Sequence, residues 1–332
     1  MKDSSLRTAF TQHAGVEVPL ICGPMYPCSN PELVAAVSEA GGLGVVQPVS
    51  LTFVHGFDFR EGLRLIRQLT DKPIAMNALI EKSSQRYHQQ MQKWVAIALE
   101  EGVRFFITSL GNPGWVVDAV KPYGGIVYHD ATERKWALKA LDNGVDGLIA
   151  VNDSAGGHAG GLSAQQLFDA LSDLNVPLIC AGGIGDEKQY VQAMQLGYAG
   201  CQLGTRFIAT NECRAAQPYK QAIVDAQASD IVLSERITGV PVALINTPHV
   251  TRMGLKAGVF ARWMLRGNKR KHWMRMLYTI RAAFQLKRAS LDESGKEDFW
   301  QAGQSVSGIH SIEPAGQIVT RFKTSLLQDK GG

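Results

Sequence analysis

Eight short apolar runs recur along residues 1–210, and this repeat constrains the fold more than any other feature of the chain. They are VPLICGPM (18–25), GLGVVQ (42–47), PIAMNAL (73–79), RFFITSL (104–110), GGIVYHD (124–130), GLIAVN (147–152), PLICAGG (177–183) and GCQLGTRF (200–207). Their starts lie about twenty to thirty residues apart, the length of one strand, one helix and two short loops. Runs that are almost wholly apolar suit strands buried on both faces, as in a parallel sheet. The segments between them carry helix signals. Asn30-Pro31 opens one helix, Thr132 another and Asp186 a third. Eight such units predict an α/β fold, a (β/α)8 TIM barrel. A doubly wound sheet would show an early GxGxxG, and the first unit has none.

The 332 residues leave a third of the chain beyond the eighth run. We expect a barrel over 1–210, a basic and mainly helical extension over 211–300 that covers the barrel mouth, and a segment over 301–332 that returns to the barrel. Charged residues make up only 19% and no low-complexity tract appears, which argues against disorder. No apolar run reaches the length of a membrane span, and the polar N-terminus lacks the apolar core of a signal peptide; the reading is a cytoplasmic protein. The five cysteines show no metal-ligand spacing, so neither a metal site nor a catalytic thiol is expected.

Chemistry in such a barrel sits at the C-terminal ends of the strands. The ends of strands seven and eight are glycine-rich: Gly182-Gly183 and Gly204-Thr205. Backbone N–H groups there can face a phosphate, and Thr205 can add a hydroxyl; tight turns alone are the simpler alternative. Strand six leads into DSAGGHAGG (153–161), where His158 stands among four glycines. Glycine lets a chain turn sharply or lie directly against a ligand.

GPM after run one, AGGLG before run two, GGHAGG after run six, AGGIG after run seven and QLGTRF after run eight, in this order, resemble the nitronate monooxygenase family. The flavin-dependent enoyl-[acyl carrier protein] reductases and some NAD(P)H:quinone reductases are similar. The resemblance covers residues 14–212, with WQAGQSVSGI (300–309) as a weaker match that brings Trp300, Gln304 and Ser305 over the mouth. It implies one FMN. By position, Gly182, Gly183, Gly204 and Thr205 would hold its phosphate. Gly23, of the GPM motif, and Met25 and Asn77 would lie by the isoalloxazine ring, Gly157 would pass close to it, and His158 would be the catalytic histidine. A histidine titrating near neutrality can take a proton from carbon beside a nitro group or return one to a developing carbanion. The resemblance also implies a departure: several members of the family carry a lysine at the end of strand five, near the pyrimidine end of the flavin, where this chain has Asp130, or His129 if the alignment slips by one. Asp130 would pair with a cation of a neighbouring loop or cap the next helix. Arg206 would pair with an acidic side chain.

Between Ile237 and Leu291 there are eleven Lys or Arg residues and no Asp or Glu, against an acidic remainder. Three partners fit this run: an acidic carrier protein or acyl-CoA, a membrane surface, or the acidic barrel of the same chain or of a second subunit in a homodimer. No nucleic-acid motif accompanies the charge. Two small-molecule reactions follow from the resemblance. The first is oxidation of alkyl nitronates with O2 to a carbonyl compound and nitrite. The second is NAD(P)H-dependent reduction of an enoyl thioester or quinone. A third reading is a barrel that binds without catalysis, and the intact glycine motifs oppose it.

Overall fold

Eight parallel strands close into a barrel in sequence order, β1 pairing with β8. The structure is a computed structural model and describes residues 6–81, 84–236, 240–256, 281, 283–294 and 298–329. The strands are β1 (Leu20–Cys22), β2 (Leu43–Val46), β3 (Ile74–Ile80), β4 (Phe105–Leu110), β5 (Ile126–Ala131), β6 (Gly147–Val151), β7 (Leu178–Ala181) and β8 (Gly200–Leu203). Each falls within one of the eight apolar runs. Helices α1 (Ala9–Ala14), α2 (Pro31–Glu39), α3 (Phe59–Leu69), α4 (Gln85–Glu100), α5 (Gly114–Val120), α6 (Arg134–Leu141), α7 (Ala164–Leu171) and α8 (Glu187–Gln195) surround them. Among the described residues no helix is long and apolar enough to cross a membrane.

Two of the three helix starts differ in detail from expectation. Asp186 caps α8 in a reciprocal capping box with Gln189, as the pattern suggests. Asn30 precedes α2, but its Oδ1 accepts from the Arg214 N–H and not from the first turn of the helix. Helix α6 begins at Arg134, after Glu133 and not after Thr132, because β5 runs on to Ala131.

Side chains alternate in and out along each strand. Ile21, Val45, Ala75, Ile107, Tyr128, Ile149 and Ala181 belong to one buried apolar cluster inside the barrel. Phe10 of α1 joins this cluster and meets Phe105 and Tyr128 edge-on, with ring centroids 5.8 and 6.2 Å away. His13 of α1 bonds the Tyr128 hydroxyl at 3.0 Å. The N-terminal end is therefore plugged by α1, and the polar end of the barrel is the C-terminal one. Gly147 has no room for a side chain, since a Cβ would stand 2.4 Å from the Tyr128 ring.

Beyond β8 come α9 (Thr205–Ile208), α10 (Gln217–Asp225), α11 (Pro248–Met253), α12 (residues 283–291) and α13 (Ala315–Asp329). A two-stranded antiparallel sheet also stands there, β9 (Ile231–Ser234) with β10 (Val242–Ile245), which the sequence reading did not include. Residues 257–280, the centre of the basic run, lie outside the described residues. Trp300 stacks on Tyr219 at 5.8 Å and 8°, and its indole N–H donates to the Ala289 carbonyl, so it locks α10 to α12. Arg206 is 1% exposed. It pairs with Glu313 at 3.5 Å and donates to the carbonyls of Ala209 and Ser311. Burial lowers its pKa to about 10 while Glu313 opposes that shift. This guanidinium ties the end of β8 to the segment before α13.

Candidate active site at the C-terminal end of the barrel

Extending the inward-facing set by one more alternation toward the open end brings Gly23, Asn77 and Asp130 to the inner face. Gln202 joins them, being in register with the inner residues Ile21 and Ala181. Asn77 is buried and donates from Nδ2 to the Ile107 carbonyl at 3.2 Å. A Cβ on Gly23 would lie 2.8 Å from Cγ of Gln202, so that side chain lies across the end of β1. Gln202 Oε1 and Asp130 Oδ1 are shut from solvent with no hydrogen-bond partner.

The register of β5 decides between Asp130 and His129. Asp130 is paired with inward-facing Ile149, and His129 with outward-facing Leu148. His129 Nδ1 lies 2.8 Å from the Thr108 hydroxyl, which gives its own proton to the Tyr128 carbonyl. Thr108 therefore accepts from His129 Nδ1–H, which assigns the tautomer. Burial pushes the His129 pKa down to about 4, so the ring is neutral at pH 7. Asp130 is the residue of the barrel mouth. It neither caps α6 nor has an ion-pair partner among the described residues. Desolvation raises its pKa to about 7.

The glycine turns after β6, β7 and β8 form one contact cluster. Asn152 ends β6, donates from Nδ2 to the Gly182 carbonyl at 3.0 Å and accepts from the Ser154 N–H at 2.9 Å. This Asx turn makes Asn152 the clamp between the loops, a role the sequence reading did not assign. Gly182 has φ +118°, and a Cβ there would stand 2.2 Å from Asn152 Oδ1 and 2.6 Å from the Ala155 nitrogen. Only glycine fits this close approach. Thr205 Oγ1 accepts from the Gly303 N–H at 3.0 Å and keeps its own proton to donate. The Gln304 N–H donates to the Ser154 carbonyl, which brings residues 303–305 against the loop after β6.

Gly204 differs from its neighbours. A Cβ there would touch only Met25, at 3.6 Å, an ordinary contact. The fold does not require glycine at this position, and there is room for a side chain beside Met25. Met25 is buried, its N–H bonded to the Ser29 hydroxyl and its carbonyl to the Ser50 hydroxyl.

His158 stands on a loop fixed from an unforeseen direction. Gly157 (φ +71°) bridges Ala243 of β10, the Ala243 N–H donating to its carbonyl at 2.9 Å. Leu244 bridges Gln301 in turn. The extension thus pins the histidine loop by main-chain bonds. His158 is accessible to solvent, yet the protein mass around it lowers its pKa through desolvation. A cleft histidine of this kind is neutral at pH 7 and has an imidazole nitrogen free to take a proton. The signal for β10 was present in VPVALI (240–245), a β-branched apolar run bounded by Gly239 and Asn246.

A parallel (β/α)8 barrel whose polar inner residues and glycine turns gather at the C-terminal end defines the class, an enzyme barrel with its site in the βα loops. The nitronate monooxygenase family model matches residues 7–324, and the chain belongs to that family. It is a flavin-dependent oxidoreductase acting on small molecules. The chain is 27% identical to a nitronate monooxygenase of Paraburkholderia phytofirmans, over 72% of this chain and 76% of that one. It is 26% identical to the (3aS,4S,5R,7aS)-5-hydroxy-7a-methyl-1-oxo-octahydro-1H-indene-4-carboxyl-CoA dehydrogenase of Mycobacterium tuberculosis, over 97% of this chain and 89% of that one. The structure of FabK from Thermotoga maritima superposes with a TM-score of 0.78 at 28% identity, covering 98% of this chain and 99% of that one.

Proposed function

We propose that the chain binds FMN at the C-terminal end of the barrel and oxidises alkyl nitronates with O2 to a carbonyl compound and nitrite. The residues present fit the cofactor. Gly204 leaves open a cradle that a side chain would fill, and Gln202 Oε1 and Asp130 Oδ1 are buried polar atoms that lack partners at the same end. Gly182, Gly183, Gly204 and Thr205 would hold the phosphate, with Gly23, Met25, Asn77 and Gly157 around the ring. Bound FMN would supply the electron transfer and the reaction with oxygen.

The observation that carries the reading is the placing of His158: accessible, desolvated, and held on a loop that β10 fixes. A neutral imidazole there takes the proton from the carbon beside a nitro group and, once protonated, attracts the nitronate anion. The glycines on both sides keep that carbon within reach by adding no bulk. For deprotonation of the neutral nitroalkane, kcat/KM is expected to rise with pH through a pKa below the ordinary histidine value of 6.5 and then level off. The sign follows from the base form being active and desolvation favouring it. A pH profile of nitroalkane turnover that rises only above pH 7 would contradict this role.

One observation favours a second reading, oxidation or reduction of an acyl thioester. Two relatives named as a carboxyl-CoA dehydrogenase align with the chain at 28% and 26% identity, the second over 97% of it. The carbon beside a thioester carbonyl is also acidic, so His158 would keep the same task. In this reading the basic run between Ile237 and Leu291 meets an acyl-CoA or an acidic carrier protein.

A further inference from the structure

Among the described residues Asp130 has no counter-charge, and a carboxyl group so placed at the mouth of an enzyme barrel calls for a ligand that completes it. Asp130 is half-buried on the inner face at the mouth, and its Oδ1 is shut from solvent with no partner among the described residues. The layer beneath it is apolar, with Ile107, Tyr128 and Ile149 fully buried, while the uncharged polar side chains of Asn77 and Gln202 share its inner face. Neither β4 nor β6, the flanking strands, carries a charged residue. The titratable groups around it are few. Tyr128 points to the barrel floor, where His13 holds its hydroxyl. His129 lies on the outer face of β5, neutral and bonded to Thr108. His158 stands on the loop after β6 and is neutral at pH 7. None of them contributes to the Asp130 shift, which burial alone produces.

A carboxylate in this position would leave a charged oxygen buried and unpaired. A carboxylic acid leaves only a neutral carbonyl there, at a far smaller desolvation cost. The acid form offers one O–H to a ligand at the mouth.

We propose that Asp130 serves as a neutral hydrogen-bond donor to an acceptor atom of the flavin ring system. This rests on the FMN reading above and assigns a ligand contact to a residue that the reading leaves unused. A neutral donor recognises a carbonyl oxygen or imine nitrogen and does not fix negative charge on it. Affinity for the cofactor then falls as the acid ionises, since the carboxylate repels the same acceptor.

The test is FMN binding to the apoprotein, followed by flavin fluorescence between pH 6 and pH 9, with D130N and D130A beside the parent chain. Asn keeps the shape and donates without titrating; Ala removes the donor. For the parent chain Kd should rise at least about tenfold across this range. D130N should hold an almost constant Kd, and D130A should bind about tenfold more weakly than D130N at pH 6. A parent Kd that changes no more with pH than that of D130N would overturn the assignment, as would equal binding by D130N and D130A. Failure of all three folded proteins, checked by circular dichroism, to take up FMN at any pH would instead sink the cofactor reading itself.

Discussion

A His158→Ala protein is expected to keep its FMN and to lose at least about a hundredfold in kcat/KM for nitroalkanes, the usual contribution of a positioned general base. Retention of the cofactor follows from the geometry. The loop is held by Gly157–Ala243 main-chain bonds and by the Asn152 clamp, and neither uses the imidazole. Among the described residues no hydrogen bond to the His158 ring is present, so its removal disturbs no network. Preformed nitronates need no proton taken from carbon, and the loss with them should be smaller. A variant that turns over the neutral nitroalkane at the parent rate would remove His158 from the chemistry.

Gly204→Val should abolish FMN uptake, weakening it by at least about a hundredfold, while the protein stays folded. The two halves of this expectation rest on one measurement of space. A Cβ at Gly204 meets only Met25, at 3.6 Å, and φ there is −108°, so the fold accepts a side chain. The branches of valine then fill the volume assigned to the phosphate. Gly182 provides the contrast. Its Cβ would stand 2.2 Å from Asn152 Oδ1 with φ at +118°, so Gly182→Val should lower stability as well as binding. Equilibrium dialysis with FMN and thermal unfolding, run on both variants, separate the two effects. Full FMN binding by Gly204→Val would move the phosphate away from the turn after β8.

The barrel strands were readable because each is buried on both faces and so appears as an unbroken apolar run. The turns of the loops were readable where glycine is demanded by backbone shape, as at Gly182. What escaped reading depends on contacts distant in sequence. β10 lies in a stretch dominated by basic and helical patterns, and its importance comes from pairing with Gly157, 86 residues earlier. Asp130 and His129 are adjacent, and only the pairing of β5 with β6 decides which faces inward. Arg206 was expected to find an acidic partner, but its identity, Glu313, required the return of the C-terminal segment. Trp300 is a core residue against Tyr219, a contact distant in sequence, while Gln304 and Ser305 reach the loops after β6 and β7.

The most direct test of the central claim is an oxygen-free titration of the purified, FMN-loaded protein, following the visible flavin band as an alkyl nitronate is added and, separately, NADH and NADPH. The account predicts that nitronate bleaches the band and that neither nicotinamide does so at a comparable rate. A band that nitronate leaves unchanged and a nicotinamide bleaches within seconds would contradict it, and would give the site to acyl-thioester or quinone reduction.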